Sequence, residues 1–487
     1  MITAQIAVGS LRSLKRLDAW YYLAPGAAAS RSLESAKAAG IPTCVLGGDD
    51  GVADVWAPAR FKRAYAAEGE DAIPYLAPHD MFEYLPEATL SLSRGRTRSL
   101  PKYLVKRGMV LQTCSGRNLG PSTIVDAVLS NFAMSHDLVR IEIADERLRN
   151  YIVGFMHSST GQGLLRRDKS GSVIDHITDE HVAAQEIPLL RDSVVDAVAD
   201  LVGTAFALVE SARLKLASEL TSLHAALPLP ERDSPAKFGW GTRRSSIRDR
   251  LDAASHDPWV QSVREMLLEA GGRPLGEAAS VVKPAGRYRT RYVGRRYGTP
   301  ILSGTQVLQH VLVHPQYMAP SAFDDPSAYQ LEEGWSVYMA DGRAEKGLGV
   351  VACVTSDRSG WFASGHVGRV VPGAGVSAGA LWLACRTKHV QVQIKSLASG
   401  SVVDSTFPAD MEGVILPPLN GIDGAAIVSA WNQFSTASAL EAEAQRLIDR
   451  EMAAITDVDT ELVQAGSEDS GDTVADDEGY SSETPES

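Results

Sequence analysis

Cysteine is scarce: four residues in 487, Cys44, Cys114, Cys353 and Cys385, with no CxxC pair among them. That excludes a disulfide framework and the usual thiolate zinc spacings. Long apolar runs are missing too. The most apolar helical stretch, Val194 to Val209, is broken by Asp196 and Asp200 and is too short for a bilayer. The N-terminus has no signal-peptide pattern, so a reducing cytoplasm with no membrane partner is the expectation. A dinucleotide fingerprint, a phosphate loop and an HExxH pair are absent, a GxSxG elbow is not expected, and neither an NPPY-type tetrapeptide nor a Gly-rich S-adenosylmethionine loop is found. His310 and His314 are four apart, but the β-branched His-Val-Leu-Val-His run reads as a strand, not a metal site. Asp341, Glu345 and Lys346 read as a polar loop, because no apolar strand places an acid two residues before the lysine.

Basic residues are outnumbered, with a net charge of −13, until the charge is localised. Thr456 to Ser487 holds eleven acidic residues and no Lys or Arg, which leaves the rest at −2. Such a segment cannot bury enough apolar surface to offset its ordering entropy and is read as disordered. It is either a solubilising end or an acidic mimic of DNA, and its removal is expected to leave recognition intact.

What is present is an echo. Ser170-Gly171-Ser172-Val173-Ile174-Asp175 returns as Ser399-Gly400-Ser401-Val402-Val403-Asp404, 229 positions later, and Pro188 returns as Pro417 at the same offset. Other landmarks keep approximate register. Arg16-Leu17-Asp18-Ala19 matches Arg250-Leu251-Asp252-Ala253, Ile73 to Leu76 matches Thr299 to Leu302, Lys106 to Arg117 matches Glu332 to Arg343, and Ala133/His136 matches Ala363/His366. The period is too long for a solenoid. It reads as two homologous domains in tandem.

Each half alternates short β-rich stretches with turn residues, such as Gly108 to Cys114, His136 to Ile143, Leu348 to Thr355 and Val367 to Val371, with some helix at Glu146 to His157. Each half then ends differently. Val198, Leu201, Ala205, Leu208 and Ala212 step by three and four within Asp192 to Ala226, and Ile427, Trp431 and Phe434 do so within Gly424 to Ala454. That spacing is the seam of helix-on-helix packing. Helices of about 30 residues are on the order of 45 Å long, and each is expected to face the other. The fold class is α+β: two strand-rich recognition domains, each followed by a long helix, the helices packing antiparallel. Boundaries are 1–191 and 227–420 for the domains, 192–226 and 421–455 for the helices, and 456–487 for the tail.

Positive charge is grouped. Ala88 to Val125 has no acid and carries Arg94, Arg96, Arg98, Lys102, Lys106, Arg107 and Arg117. Ala278 to Phe323 is also acid-free and carries Lys283, Arg287, Arg289, Arg291, Arg295 and Arg296. In extended backbone, Arg94/Arg96/Arg98 and Arg287/Arg289/Arg291 would each line one strand face, with Tyr288 and Tyr292 opposite the second set. Such faces suit a phosphate backbone or a guanine edge; a solvated basic edge strand is the alternative.

Taken in order, these landmarks resemble the specificity (S) subunits of type I restriction-modification systems. Arg16-Leu17-Asp18-Ala19-Trp20-Tyr21-Tyr22 is similar to the family's RLDxxYY-type opening, and Lys106 to Leu111 and Ser135 to Arg140 to two of its strands. Gly171 to Asp175 with Ile187-Pro188-Leu189, repeated as Gly400 to Asp404 with Leu416-Pro417-Pro418-Leu419, is similar to its close. Met109 and Trp335 stand where the family usually has Asp. The resemblance implies a non-catalytic protein that reads a bipartite site in double-stranded DNA, one half-site per domain, with the helices as a spacer. It implies two DNA adenine methyltransferase (modification) subunits and a restriction/translocase subunit as partners, which would bring S-adenosylmethionine, ATP and Mg; this chain would hold no cofactor. The DNA-binding candidates are Arg94, Arg96, Arg98, Lys102, Arg117, Arg287, Arg289, Arg291, Arg295, Arg296 and Arg343, with Arg96, Arg117, Arg289 and Arg343 toward base edges. The alternatives are a specificity protein of another methylation-based phage-defence system and a self-contained nuclease on a duplicated scaffold.

Overall fold

A computed structural model describes residues 25–116, 119–167, 176–232, 239–242, 247, 250–284, 288–312, 315–344, 347–400 and 403–456. The Arg16 opening, the first hexapeptide copy, Arg117, Arg287, His314, Glu345, Lys346 and the acidic segment from 457 onward lie outside the described residues.

The first half opens with α1 (Pro25–Ala38), then β1 (Thr43–Val45), β2 (Asp54–Trp56), β3 (Ala72–Leu76), β4 (Leu90–Ser93), β5 (Val110–Thr113), β6 (Ser122–Ile124), β7 (Ala133–Met134) and β8 (Leu138–Glu142). Helices α2 (Glu146–His157), α3 (Ser159–Arg167) and α4 (Asp179–Ala183), strand β9 (Glu186–Pro188) and the long α5 (Asp192–Ala226) follow. Its sheets run β2-β8-β5-β6, β4-β3-β7 and β1-β9.

The second half has α6 (Pro258–Glu269), β10 (Arg273–Pro274), α7 (Leu275–Ala278), β11 (Ala279–Val282), β12 (Thr299–Leu302), β13 (Gln316–Met318), β14 (Ser336–Met339), β15 (Asp341–Gly342), β16 (Val351–Cys353), β17 (Phe362–Ala363) and β18 (Val367–Pro372). Then come α8 (Ala378–Arg386), α9 (Lys388–Ser396), β19 (Asp404–Ser405), α10 (Pro408–Glu412), β20 (Ile415–Leu416) and the long α11 (Gly424–Thr456). Its sheets run β11-β18-β14-β16, β13-β12-β17 and β10-β20, with β15-β19 in addition. The strand order of the first half therefore recurs sheet by sheet.

Side chains repeat along with strands. The Gln162 amide donates to Met156 O at 2.6 Å and Gly120 O at 3.0 Å, and that of Gln391 donates to Cys385 O at 2.8 Å and Gly349 O at 3.1 Å. All three pairs of positions stand 229 apart. Gly120 and Gly349 both have positive φ, +132° and +73°, which glycine adopts at no steric cost. Parallel pairing sets Leu76 opposite Met134 and Leu302 opposite Ala363. Ala363 thus corresponds to Met134, and the Ala133/Ala363 alignment is one residue out. The His310 segment is also corrected: His310 lies in a bend, buried, not on a strand.

Helix ends follow ordinary capping chemistry. The Asp145 carboxylate accepts the Leu148 N–H at 2.9 Å to start α2. Ser158 between α2 and α3, and Thr387 between α8 and α9, each donate their hydroxyl to the carbonyl three residues back, at 2.7 Å.

The long helices contain 35 and 33 residues, about 50 Å each. Val194, Val198 and Val202 of α5 share one apolar cluster with Ala444, Ile448 and Met452 of α11 and with Ile141 and Tyr151 of the first half. Ala205, Val209, Ala212 and Leu216 share another with Ile427, Trp431 and Phe434 and with Val337, Val370 and Trp382 of the second half. Arg191, at the start of α5, pairs with Glu451 near the end of α11 at 2.8 Å. Among the described residues no helix is long and apolar enough to cross a membrane.

The halves also touch directly. Phe82, Glu83 and Tyr84 correspond to Leu308, Gln309 and His310, 226 positions on. Tyr84 N–H donates to Leu308 O at 2.9 Å, and His310 N–H donates to Phe82 O at 2.8 Å. Equivalent residues bonding reciprocally is the pattern of an isologous, two-fold contact.

Candidate nucleic-acid interface

Arg94, Arg96 and Arg98 do not line a strand. Strand β4 ends at Ser93, whose hydroxyl accepts the Arg96 N–H at 3.1 Å while its carbonyl accepts the Thr97 N–H at 3.1 Å. These bonds fold the chain into a turn, so the alternating register is lost. The anion facing these arginines is protein. Arg96 holds Glu70 in two bonds of 2.9 and 2.7 Å and also donates to Tyr65 O at 2.6 Å; Arg94 lies 3.4 Å from Asp71. The Arg96 guanidinium and the Ser93 hydroxyl hold the Glu70 carboxyl down to about 2. Arg98 and Lys102 are exposed, the latter in a 3₁₀ turn at Leu100–Tyr103.

Arg107 of the same acid-free run is committed to the long helix, bonding Glu210 of α5 at 2.6 and 2.7 Å. Lys283 is likewise tied to Asp341 at 2.8 Å, which also bonds His366 at 2.7 Å. Asp341 belongs to strand β15, and the expectation of a loop there is corrected. Arg343, just after β15, is exposed.

In the second half Arg289, Arg291, Arg295 and Arg296 are all exposed. The backbone from Arg291 to Val293 runs extended beside β13: Ala319 N–H donates to Arg291 O at 3.1 Å and Val293 N–H to Tyr317 O at 2.9 Å. Arg295 and Arg296 fall in a 3₁₀ turn at Arg295–Tyr297. Tyr288 is half-buried against Phe323 and Tyr329, at ring distances of 4.8 and 5.2 Å.

The counterpart of this segment in the first half escaped the sequence reading. Tyr292 bridges Met318 and Tyr65 bridges Leu92, and Leu92 corresponds to Met318 at offset 226. Arg60-Phe61-Lys62-Arg63-Ala64-Tyr65 is therefore the equivalent of Arg287-Tyr288-Arg289-Thr290-Arg291-Tyr292. Both read R-[FY]-[KR]-x-x-Y, a signal visible in the sequence once the offset is taken as 227. Phe61 stacks on Tyr103 at 3.8 Å, as Tyr288 packs on Tyr329, 226 residues after Tyr103. Arg60, Lys62 and Arg63 are exposed.

Each edge segment meets the turn that follows the next strand. In the first half the turn residue Arg96 reaches the edge at Tyr65 O; in the second the edge residue Arg291 reaches the turn at Ser321, 3.3 Å from its hydroxyl. The same contact is kept with its cation on opposite sides. Arg94 and Arg96 thus join Arg60 to Tyr65 in one surface, and Arg289 to Arg296 make the other. Both surfaces carry exposed cations beside a partly exposed tyrosine, Tyr65 in the first and Tyr292 in the second.

The expected absence of a GxSxG elbow is corrected: Gly375-Val376-Ser377-Ala378-Gly379 has the spacing of a hydrolase nucleophile elbow. Here Ser377 caps α8, accepting the Ala380 N–H at 3.4 Å. Among the described residues no group of three His, Cys, Asp or Glu is placed to hold a metal ion.

No family model and no curated protein matches the chain in sequence. Among solved structures it is similar to the type I restriction-modification system S subunit of M. genitalium, 13% identical, covering 87% of this chain and 95% of that one with a TM-score of 0.26. It is also similar to the HsdS subunit of Thermoanaerobacter tengcongensis, 14% identical over 86% and 100%, TM-score 0.25. A chain from a structure concerned with complex assembly and conformational transition of the type I R-M system is 16% identical over 86% and 97%, TM-score 0.27.

Proposed function

We propose that this chain is a non-catalytic specificity subunit of a type I restriction-modification system, reading a bipartite site in double-stranded DNA. The observation that carries this is the recurrence of a basic, tyrosine-bearing edge segment at equivalent places in two halves of the same topology. One such edge is an ordinary surface feature. Two of them, fixed to one another through a shared helix pair, are what a protein needs to read two separated half-sites.

In this reading residues 1–191 and 227–420 are tandem recognition domains. The helices at 192–226 and 421–455 run antiparallel as a spacer, supported by the Arg191–Glu451 pair. The partners are two DNA adenine methyltransferase subunits, which bring S-adenosylmethionine and flip the target base, and a restriction/translocase subunit working with ATP and Mg, all in the cytoplasm. The acidic residues beyond 456 solubilise the complex.

Single-molecule methylome sequencing of a host with and without the gene tests this. Loss of one bipartite methyladenine motif is the expected result. An unchanged methylome, or methylation or cleavage by the purified chain alone, contradicts it.

A further inference from the structure

Phe61 and Tyr65 lie in one short segment, yet the structure treats their rings differently. Phe61 is stacked into the fold on Tyr103, whereas Tyr65 is 40% exposed. The second half repeats the arrangement: Tyr288 is packed and Tyr292 is 53% exposed. Both exposed tyrosines are anchored by backbone bridges, to Leu92 and Met318, so their place on the edge does not depend on burying the ring. Exposed cations flank them on the same segments, Lys62 and Arg63 beside one, Arg289 and Arg291 beside the other.

An aromatic ring held out between cations is the arrangement that accepts a nucleobase face while the backbone phosphates are neutralised alongside. A ring of this kind reaches a base only where the duplex step opens, as apolar wedges do. Resting on the DNA-reading function above, we propose that Tyr65 and Tyr292 are base-stacking positions, one per half-site, each unstacking one base step of the bound duplex. Tyr297, 76% exposed where the first half has Asp71, gives the second half an additional ring.

The test starts from a random duplex pool selected on the full-length chain. If no duplex is enriched, the DNA-reading function itself fails. With an enriched duplex in hand, 2-aminopurine is scanned through both half-sites. One position per half-site brightens on binding if a base is unstacked, and the Tyr65→Leu and Tyr292→Leu variants each abolish the signal in their own half only. Each weakens binding about tenfold, as expected for one stacked base, whereas Tyr65→Phe and Tyr292→Phe keep wild-type affinity and signal. No brightening with the wild-type chain on a duplex it has selected overturns the proposal and leaves the DNA-reading function standing. So do Leu variants that bind, and brighten the probe, as the wild type does.

Discussion

Arg140 and Arg369 stand 229 residues apart and make the same bonds: each buried guanidinium donates to the carbonyl two residues before it and to the carbonyl six residues before it. For Arg140 these are Leu138 and Met134; for Arg369 they are Val367 and Ala363. Burial pushes both groups down to about 10, so both stay charged at neutral pH. Each arginine ties a central strand to the strand before it, holding two sheets of its half together.

Replacing either with methionine orphans buried carbonyls. Arg140→Met and Arg369→Met are each expected to lower unfolding free energy by about 2 to 4 kcal/mol, read by denaturant titration. Lysine does not rescue, because one ammonium cannot span both acceptors as the planar fork does.

Arg213 of α5 and Asp126 form a fully buried pair at 2.7 Å. Arg213 also donates to Met81 O at 2.9 Å and Glu83 O at 2.6 Å, while Asp126 accepts the N–H groups of Val128 and Leu129 at 2.9 and 2.8 Å. Breaking such a pair costs about 3 to 5 kcal/mol. Arg213→Met is expected at the upper end, since it also strands two carbonyls, and Asp126→Asn at the lower. Thermal unfolding of the two variants and their double mutant gives the coupling.

His157 bonds the Ser122 hydroxyl at 2.8 Å, and burial pushes its imidazole down to about 4 from an ordinary 6.5. The unfolded chain therefore binds a proton between these values that the folded one does not. Stability is full above pH 6.5 and falls as the pH drops toward 4, by about 3 kcal/mol. His157→Gln flattens that part of the stability–pH curve. An unchanged curve refutes the assignment.

Glu70 and Asp71 neutralise Arg96 and Arg94, so the first half presents less free charge than its arginines suggest. Glu70→Gln is expected to tighten DNA binding and steepen log K against log salt by about one unit; Lys62→Ala and Arg289→Ala each flatten it by about 0.9. Fluorescence anisotropy at several salt concentrations measures all three. Arg96→Ala is expected to relax specificity in one half-site only.

Elements with strong periodicity were legible. The long helix reads as Asp192 to Ala226 in sequence and in structure, as does Glu146 to His157. Gly424 begins the last helix in both, though it runs on to Thr456. The basic edges were harder, for two physical reasons. Arginines at alternate positions look like a strand, but Ser93 folds the chain into a turn after β4, a local side-chain bond that overrides spacing. Arg60 to Tyr65 lies just before Glu68, Glu70 and Asp71, which hides it from any search for acid-free runs. Only the bridge of Tyr65 to Leu92, matched by Tyr292 to Met318, brings it into register with Arg287 to Tyr292.

The reciprocal bonds of Phe82 to Tyr84 with Leu308 to His310 have an evolutionary corollary. In a contact between two identical chains, every substitution at the axis meets itself and must suit both sides at once. Here the two sides are separate codons. Tyr84 faces His310 at a ring distance of 6.2 Å, with Phe434 of the last helix against both; Arg358 lies 5.0 Å over the Tyr84 ring and donates to His310 O at 3.1 Å. Glu83 and Gln309, at the middle of the two segments, likewise differ. Such an axis can be retuned one residue at a time, and the angle between the two halves can drift by steps too small for a true homodimer to take.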